Sequence, residues 1–243
     1  MTAQHRNDSS HLVGLIRDTV PPLHPGGRPI VAGALAATLG SRFLLRRVGL
    51  RGLGRGVGRL GLGLTAASAV FFRSPRRVPP TGAGLVVAPA DGIVSLIEAA
   101  VPPPELGLDA APRPRVSIFL SLFDVHVQRI PVAGAVTGAA YRAGKFLSAD
   151  LDKASTDNER NSLVITTDPG EQVIVTQIAG LVARRIVCQV GTGDRVETGA
   201  TYGLIRFGSR LDTYLPVGTQ IVARLGQRAV GAETVLARLA PPD

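Results

Sequence analysis

The chain has 243 residues, of which 45% are hydrophobic and 4% aromatic, and its formal net charge is +9. This length and composition suffice for one or two globular domains with a buried core. A single cysteine, Cys188, excludes a disulfide framework and a thiolate metal site. Because there is no tryptophan and few other aromatic residues, the sequence lacks the stacking platforms typical of proteins that bind single-stranded nucleic acid.

The positive charge is concentrated in one part of the chain. Ten arginines and no acidic residue lie between Asp18 and Asp91. The rest of the chain contains 17 basic and 18 acidic residues, so it is close to neutral.

Two apolar stretches lie within this basic part, after a polar leader (1–28) that we expect to be disordered. They span residues 29–41 and 60–72, and a Gly/Arg-rich connector joins them. As helices each would be about 20 Å long, which is too short for a hydrocarbon core of about 30 Å. We therefore predict that residues 29–75 form a helical hairpin in one leaflet of a membrane, with arginines against anionic headgroups. The alternative is a helix pair packed on the protein with a solvated arginine loop.

Beyond residue 75 the sequence changes to short β-branched runs separated by turns. This pattern predicts a mostly antiparallel, β-rich catalytic domain over residues 76–243, and hence an α+β protein. A Pro-x-x-Gly-x-Val pattern occurs at residues 89–94 and again at 131–136, which predicts two strands that begin alike.

The segment "GTGDRVETGATYGLI" (191–205) is similar to the turns of biotinyl and lipoyl carrier domains, which predicts barrel-like elements in the fold. A carrier needs a lysine on that hairpin. The chain has only Lys145 and Lys153, and neither lies there. The carrier function is therefore excluded, although the barrel-like elements remain part of the predicted fold.

His126 is the one histidine outside the polar leader. In "FDVHVQRIP" strand alternation predicts Asp124, His126 and Gln128 on one face, with Val125 and Val127 on the other. One imidazole without further ligands cannot form a zinc site, so we predict no metal. Acid-base chemistry or activation of a nucleophile remains for His126, and a purely structural histidine is the alternative.

A Gly-Ser bond, Gly208-Ser209, lies in "RFGSRLDTY" near the end of the chain. Glycine on the acyl side leaves room for the serine hydroxyl to attack the preceding carbonyl, provided that a base and an oriented carbonyl are present. By itself the pair is also a common turn sequence.

Six motifs in order make the chain resemble the phosphatidylserine decarboxylase family in its short bacterial form. The motifs are "FFRSPRR" (71–77), "APADG" (88–92), "FDVHVQRIPVAG" (123–134), "KFLSADLDKASTDNERN" (145–161), "QIAGLVARRI" (177–186) and "RFGSRLDTYLP" (206–216).

The resemblance implies a proenzyme that cleaves itself between Gly208 and Ser209. The products would be a β chain (1–208) and an α chain (209–243) that stay associated. Ser209 would become a covalent pyruvoyl cofactor, and no metal is implied. A Schiff base between this group and the amine of phosphatidylserine would allow decarboxylation to phosphatidylethanolamine.

The resemblance also implies catalytic roles for Ser209, His126 and Asp91, which we expect to form an Asp-His-Ser relay. Arg129 stands where the long-form relatives have a second histidine. The expected contacts to the substrate headgroup come from four residues: Lys145, Phe146, Asn158 and Arg160.

We expect a homo-oligomer at the cytoplasmic face of the bacterial cell membrane, acting on phosphatidylserine in an anionic membrane and binding no nucleic acid. Two alternatives have different signatures. A noncatalytic membrane-anchored β domain would remain one chain, and a basic nucleic-acid-binding protein would form a salt-sensitive complex without cleavage.

Overall fold

A computed structural model of the chain describes residues 20–144, 157–180, 186–205 and 209–240. The chain divides into two compact units, Met1–Arg76 and Arg77–Asp243. Helices form the described part of the first unit, and β-strands dominate the second. The predicted α+β class is therefore confirmed.

The helical unit contains a hairpin of two antiparallel helices. A 3₁₀ turn at Pro25–Gly27 precedes helix α1 (Arg28–Arg47), and helix α2 spans Arg51–Phe71. Gly49 has a φ of +84° in the short connection between them, a conformation that favours glycine. The Gly/Arg-rich connector predicted from the sequence is thus largely helical, and the helices reach 20 and 21 residues.

Glycines hold the two helices close together. A Cβ atom on Gly61 would lie 2.4 Å from Oγ1 of Thr38, and one on Gly58 would lie 2.9 Å from Cδ of Arg42. This contact explains why helix α2 tolerates residues of poor helix propensity. The large apolar side chains lie on the outside of the hairpin instead, and the most exposed are Leu39, Phe43, Leu44, Leu53, Leu60, Leu64 and Val70.

Within the described ranges, neither of these helices nor any other is long and apolar enough to cross a membrane. The association of the hairpin with one leaflet of a membrane stays a prediction.

The β unit contains fourteen described strands. They are β1 (Leu85–Val87), β2 (Gly92–Ala100), β3 (Arg113–Leu120), β4 (Val127–Arg129), β5 (Gly134–Arg142), β6 (Arg160–Thr166), β7 (Gln172–Ala179), β8 (Ile186–Cys188), β9 (Arg195–Val196), β10 (Thr201–Ile205), β11 (Ser209–Tyr214), β12 (Gln220–Ile221), β13 (Arg228–Ala229) and β14 (Val235–Arg238). A 3₁₀ turn at Pro104–Leu106 lies between β2 and β3.

All strand pairings in the described part of the chain are antiparallel, as predicted. The largest sheet has eight strands in the order β13-β2-β3-β11-β7-β6-β5-β9. Two three-stranded sheets have the orders β4-β10-β8 and β1-β14-β12. The barrel-like elements predicted from the carrier-domain pattern stay a prediction.

The two Pro-x-x-Gly-x-Val segments do begin strands in the same way, since β2 starts at Gly92 and β5 at Gly134. A Cβ atom on Gly92 would lie 2.3 Å from the carbonyl oxygen of Phe119, and one on Gly134 would lie 2.3 Å from that of Thr166. Both glycines are therefore required because a neighbouring backbone passes too close for a side chain.

Strand β11 is central to the largest sheet and pairs with β3 and β7 over its whole length. Its side chains alternate between two faces. Leu211 belongs to the main apolar core, with residues such as Ile118, Leu163 and Val175. The opposite face carries the charged pair Arg210 and Asp212, and it is also buried. The sheet is thus covered on both faces around β11.

The alternation predicted for the His126 segment is only partly right. Strand β4 begins at Val127, so Asp124 and His126 lie in the loop before it. The polar and the apolar side chains from Asp124 to Gln128 are all buried. A one-sided polar face does not exist here because the segment is enclosed on all sides by the β unit.

Candidate active site

Ser209 is the first residue of strand β11, and it pairs with Leu120 of β3 and Ala179 of β7. Its exposed fraction is 0%, and its Oγ has no hydrogen-bond partner among the described residues. A buried hydroxyl without a partner is costly, so its presence at a strand terminus calls for an explanation. No hydrogen bond to the described residues has to break before such a hydroxyl attacks a neighbouring atom.

His126 is also fully buried, and its ring is oriented by the backbone. Nδ1 lies 2.9 Å from the carbonyl oxygen of Asp124. Since a carbonyl only accepts, Nδ1 is assigned as the protonated nitrogen, and Nε2 then carries the lone pair. The ring is therefore held in the tautomer that a general base requires.

A tight turn fixes the segment that precedes His126. The carboxylate of Asp124 accepts hydrogen bonds from N and Oγ of Ser121, each at 2.8 Å, and it also contacts Arg228. Leu122 and the largely exposed Phe123 form the tip of this turn. Because Ser121 directly follows the end of β3, the turn leads the chain from the strand beside Ser209 to His126.

The fold brings His126 and Ser209 to the same end of the β unit from two directions. Leu120, the last residue of β3, is opposite Ser209, and five residues separate it from His126. On the other side, the backbone N of Ile205 donates to the carbonyl oxygen of His126 at 3.4 Å. Four residue steps connect Ile205 to Ser209, which limits their Cα separation to about 15 Å.

A chain of two buried amides and the half-buried amide of Asn161 links His126 to the sheet that carries Ser209. Nε2 of Gln128 donates to the carbonyl oxygen of His126 at 2.8 Å, and Oε1 of Gln128 accepts from Nε2 of Gln177 at 3.0 Å. Oε1 of Gln177 accepts in turn from Nδ2 of Asn161 at 3.0 Å. Gln177 lies two residues before Ala179, on the same face of β7. We call these three side chains the amide chain.

The amide chain explains Gly203 of β10. A Cβ atom there would lie 2.8 Å from Nε2 of Gln177 and 2.4 Å from the carbonyl oxygen of Val187. Only glycine allows β10 to approach the amides this closely.

Asp91 belongs to a separate charged cluster. Its carboxylate accepts from Arg77 at 2.7 Å and from the backbone N of Gly231 at 2.8 Å. Backbone N of Arg129 donates to the carbonyl oxygen of Pro89 at 2.8 Å, which places the Pro-Ala-Asp-Gly turn beside β4. The Asp91 turn and strand β4, which directly follows His126, are thus neighbours, while the Asp91-His126-Ser209 relay stays a prediction.

Arg129 lies close to this cluster, and NH1 donates to the carbonyl oxygen of Gly199 at 3.3 Å. Burial, followed by repulsion from Arg77, lowers the pKa of Arg129, while Asp91 and Glu233 oppose the shift. The side chain that replaces the second histidine of long-form relatives is therefore a half-buried cation next to Asp91.

The expected headgroup contacts are distributed over different surfaces. Nδ2 of Asn158 donates to the carbonyl oxygen of Ala179 at 2.8 Å, so Asn158 supports the strand residue opposite Ser209. Arg160 binds both carboxylate oxygens of Glu105, at 2.5 and 2.7 Å. Its side chain lies on the opposite face of the sheet from Ser209, so a direct contact with a headgroup at Ser209 is not favoured by this geometry. Lys145, Phe146 and Gly208 lie outside the described residues.

Sequence reasoning missed a buried ionic cluster that directly follows Ser209. Nε and NH2 of Arg210 donate to Asp212 at 2.8 and 3.0 Å, and Arg115 lies 3.4 Å from the same carboxylate. Arg115 also pairs with Glu98. The signal was present in "SRLDTY", because opposite charges two residues apart on a strand share a face.

The described residues contain no cluster of histidine, cysteine and acidic side chains that could hold a metal ion. Cys188 is partly buried, and its Sγ lies 3.3 Å from the carbonyl oxygen of Val190. Burial raises the pKa of this thiol, which keeps it in its less reactive form.

Comparison with known proteins gives the same result as the motifs. The family model described as phosphatidylserine decarboxylase matches residues 64–237. A phosphatidylserine decarboxylase proenzyme from Saccharopolyspora erythraea is 62% identical over 231 residues, covering 95% of this chain and 94% of that protein. A proenzyme of the same name from Mycobacteroides abscessus is 59% identical over 232 residues, covering 94% and 92% respectively. The chain therefore belongs to the phosphatidylserine decarboxylase family, whose members are self-processing decarboxylases.

Proposed function

We propose that this protein cleaves itself between Gly208 and Ser209 and then decarboxylates phosphatidylserine to phosphatidylethanolamine. The observation that carries the proposal is the buried Ser209 hydroxyl, which has no hydrogen-bond partner among the described residues. It lies at the start of a central strand, at the end of the β unit where His126 is also placed. The names of the relatives support the substrate and the reaction.

Self-cleavage begins with attack of Ser209 Oγ on the carbonyl carbon of Gly208, while Nε2 of His126 takes the hydroxyl proton. The C–N bond breaks, the Ser209 nitrogen receives a proton, and an ester links the two residues. A base then removes the Cα proton of Ser209, and the Gly208 carboxylate leaves from Cβ. Water replaces the nitrogen of the resulting dehydroalanine, ammonia leaves, and a pyruvoyl group remains on the α chain.

The surroundings of Ser209 fit a pyruvoyl group. Replacing the serine with a carbonyl removes a buried hydroxyl that makes no hydrogen bond to the described residues, so no existing contact is lost. The group supplies a carbonyl that takes the substrate amine as a Schiff base and accepts the electrons left when carbon dioxide departs.

The residues of the chain hold this site and keep water out. Strands β3 and β7 fix β11 on both sides, and the paired charges of Arg210 and Asp212 anchor the residue next to Ser209. We assign to Nε2 of His126, once it is protonated, the return of a proton to the substrate carbon after decarboxylation, while Nδ1 keeps its own proton and donates it to the Asp124 carbonyl. In the expected Asp91-His126-Ser209 relay, Asp91 would orient or charge the His126 ring.

The membrane context is part of the proposal. The exposed apolar side chains of the helical hairpin suit one leaflet of the bacterial cell membrane, at its cytoplasmic face, where phosphatidylserine is present as substrate. The two cleaved chains stay associated because β11 is an inner strand of the largest sheet. A homo-oligomer is expected from the sequence, and sedimentation would test it.

Ser209→Ala tests the cleavage step. We expect wild-type protein to give two chains on a denaturing gel and Ser209→Ala to give one. Thr213→Val is the matched control, because Thr213 lies on the same face of β11, is equally buried and also has an unpartnered hydroxyl among the described residues. This control should cleave like wild type.

Mass spectrometry of the small chain then tests the cofactor. A fragment that starts with pyruvoyl at position 209 and reacts with phenylhydrazine supports the proposal, and conversion of phosphatidylserine completes it. A wild-type chain that stays intact and shows no reactive carbonyl would overturn it. That result would favour a noncatalytic membrane-bound domain, or a nucleic-acid-binding protein if a salt-sensitive complex forms.

A further inference from the structure

The turn of the helical hairpin contains a hollow of about 660 Å³ that is lined by five arginines and two apolar residues. We call it the arginine hollow, and its lining residues are Leu39, Arg42, Phe43, Arg46, Arg47, Arg51 and Arg55. The guanidinium of Arg47 lies 5.0 Å from the ring centroid of Phe43, which holds one charge beside an apolar surface.

No acidic residue balances these charges within the helical unit over its described residues, 20–76. Five guanidinium groups gathered at one turn repel each other, since the short connection keeps the ends of both helices together. An anion bound in the hollow would remove this repulsion. The geometry and charge thus select an anionic ligand.

The apolar exterior of the hairpin decides which anion fits. Leu39 and Phe43 line the hollow and are exposed, and Leu44 and Leu53 nearby are exposed as well. Because glycines occupy the contact between the helices, these large side chains have no place inside the hairpin. A polar anion such as a nucleic acid would leave them in water, whereas a lipid headgroup lies directly above acyl chains that can cover them.

We propose that the arginine hollow binds the headgroups of anionic phospholipids at a bilayer surface, as a lipid site in a different unit from Ser209. Its chemistry is the recognition of negative charge on a phosphodiester by guanidinium groups. The hollow therefore senses the charge of the membrane and is not a second catalytic site.

If the arginine hollow binds anionic headgroups, turnover of phosphatidylserine should regulate membrane binding. This inference rests on the proposed function. The headgroup of phosphatidylserine carries a phosphate, a carboxylate and an ammonium group, for a net charge of −1. Decarboxylation removes the carboxylate as carbon dioxide, and a proton takes its place on carbon, so the product headgroup has no net charge. The protein consequently weakens its own hold on the membrane as it consumes the substrate.

The site itself is tested with a lipid that is not a substrate. Full-length protein is mixed with vesicles of phosphatidylcholine alone, or of phosphatidylcholine with phosphatidylglycerol, and bound protein is measured by sedimentation. A basic residue near an anionic surface contributes about fivefold in partitioning, which corresponds to about 1 kcal/mol. Arg46→Gln with Arg47→Gln should therefore reduce binding to the anionic vesicles by on the order of 25-fold.

The matched control removes the same charge elsewhere. Arg195→Gln with Arg224→Gln changes two exposed arginines of the β unit. We expect this variant to bind anionic vesicles like wild type, and both double variants to keep the wild-type helix content and thermal unfolding. Equal loss of binding in the two double variants, or no loss in the hairpin variant, would overturn the assignment.

The regulatory consequence is tested with vesicles in which phosphatidylserine is the anionic lipid. Wild-type protein should leave these vesicles as phosphatidylethanolamine accumulates, whereas uncut Ser209→Ala should remain bound. Adding phosphatidylglycerol should keep wild type bound throughout. Wild-type protein that stays bound after full conversion would disprove the link between turnover and release.

The experiments with the two kinds of vesicle test the proposed function and the lipid site separately. If no phosphatidylethanolamine forms, the proposed function fails, but binding to phosphatidylglycerol vesicles still decides whether the arginine hollow is a lipid site.

Discussion

Replacing Gln177 with leucine should slow self-cleavage, although Gln177 is not expected to touch the reacting atoms. The substitution keeps a buried side chain of similar size on β7 but removes both functions of the amide. Oε1 of Gln128 loses its 3.0 Å donor, and Nδ2 of Asn161 loses its 3.0 Å acceptor. The hydrogen bond from Gln128 to the His126 carbonyl then has no support from the sheet.

The expected magnitude follows from these contacts. A buried polar atom left without a partner costs about 1–3 kcal/mol, which applies in full to Gln128 and only in part to the half-buried Asn161, so the variant should lose roughly 2–4 kcal/mol of unfolding free energy. A displacement of a catalytic group by about 1 Å reduces rates by about a hundredfold. We therefore expect self-cleavage of Gln177→Leu to be about 10- to 100-fold slower than that of wild type.

The assay follows disappearance of the intact chain on denaturing gels after synthesis, with unfolding in urea measured in parallel on Ser209→Ala backgrounds. Thr176→Val is the control, because Thr176 precedes Gln177 on β7 and its hydroxyl contacts that of Ser162 at 3.0 Å on the opposite face. It removes a buried hydrogen bond between the same two strands. The control should lose stability and still cleave normally.

A glutamate at position 177 gives a second readout that general destabilisation would not produce. Burial raises the pKa of such a carboxyl, and only its protonated form can donate to Gln128. Relative to wild type, Gln177→Glu should cleave best at low pH and lose this advantage as the pH rises through the raised pKa. Normal cleavage by Gln177→Leu, or equal slowing by Thr176→Val, would refute a positioning role for the amide chain.

Three further predictions concern the scaffold. Asp212→Asn removes the carboxylate shared by two buried arginines and should cost about 3–5 kcal/mol in urea unfolding; no loss would show that the cluster is solvated. Gly61→Ala should reduce helix content on heating because its Cβ meets the facing helix, whereas Gly63→Ala has open space and should stabilise the helix by up to about 1 kcal/mol. The hydrogen bond from Arg160 lowers the pKa of Glu105, so this ion pair contributes its full stabilisation above about pH 4.3. The contribution is lost as the pH falls through the lowered pKa of Glu105. Glu105→Gln should therefore make the unfolding free energy depend less on pH in the acid range.

The candidate reactive residues were accessible to sequence reasoning because each is rare in its context. His126 is the one histidine beyond the leader, and Gly208-Ser209 lies in a motif of the family. The antiparallel β-rich unit followed from short β-branched runs in the same way. What the sequence could not supply was the tautomer of His126, since the Asp124 carbonyl that sets it is a backbone group.

The errors have a common physical origin in close packing. The sequence predicts the Gly/Arg-rich segment as a connector between two short helices, but it is largely helical because glycines 54 and 58 allow the two helices to touch. Likewise, Gln128 and Arg210 alternate with apolar residues and therefore look like positions on a solvated strand face. Both are buried, because other elements cover that face and supply partners at long sequence distance.

The position of Ser209 at the start of an inner strand reconciles chain cleavage with a stable site. A cut at this point removes one covalent link, yet β11 keeps its pairing with β3 and β7 from Ser209 to Tyr214. The buried ion pair between Asp212 and Arg115 of β3 resists fraying, because a strand end that peels away would have to separate the two charges. The new chain end of the proposed cleavage would therefore be held by the contacts that hold it before the cut. A pyruvoyl group made from the first residue of this strand would be immobilised without a binding site of its own.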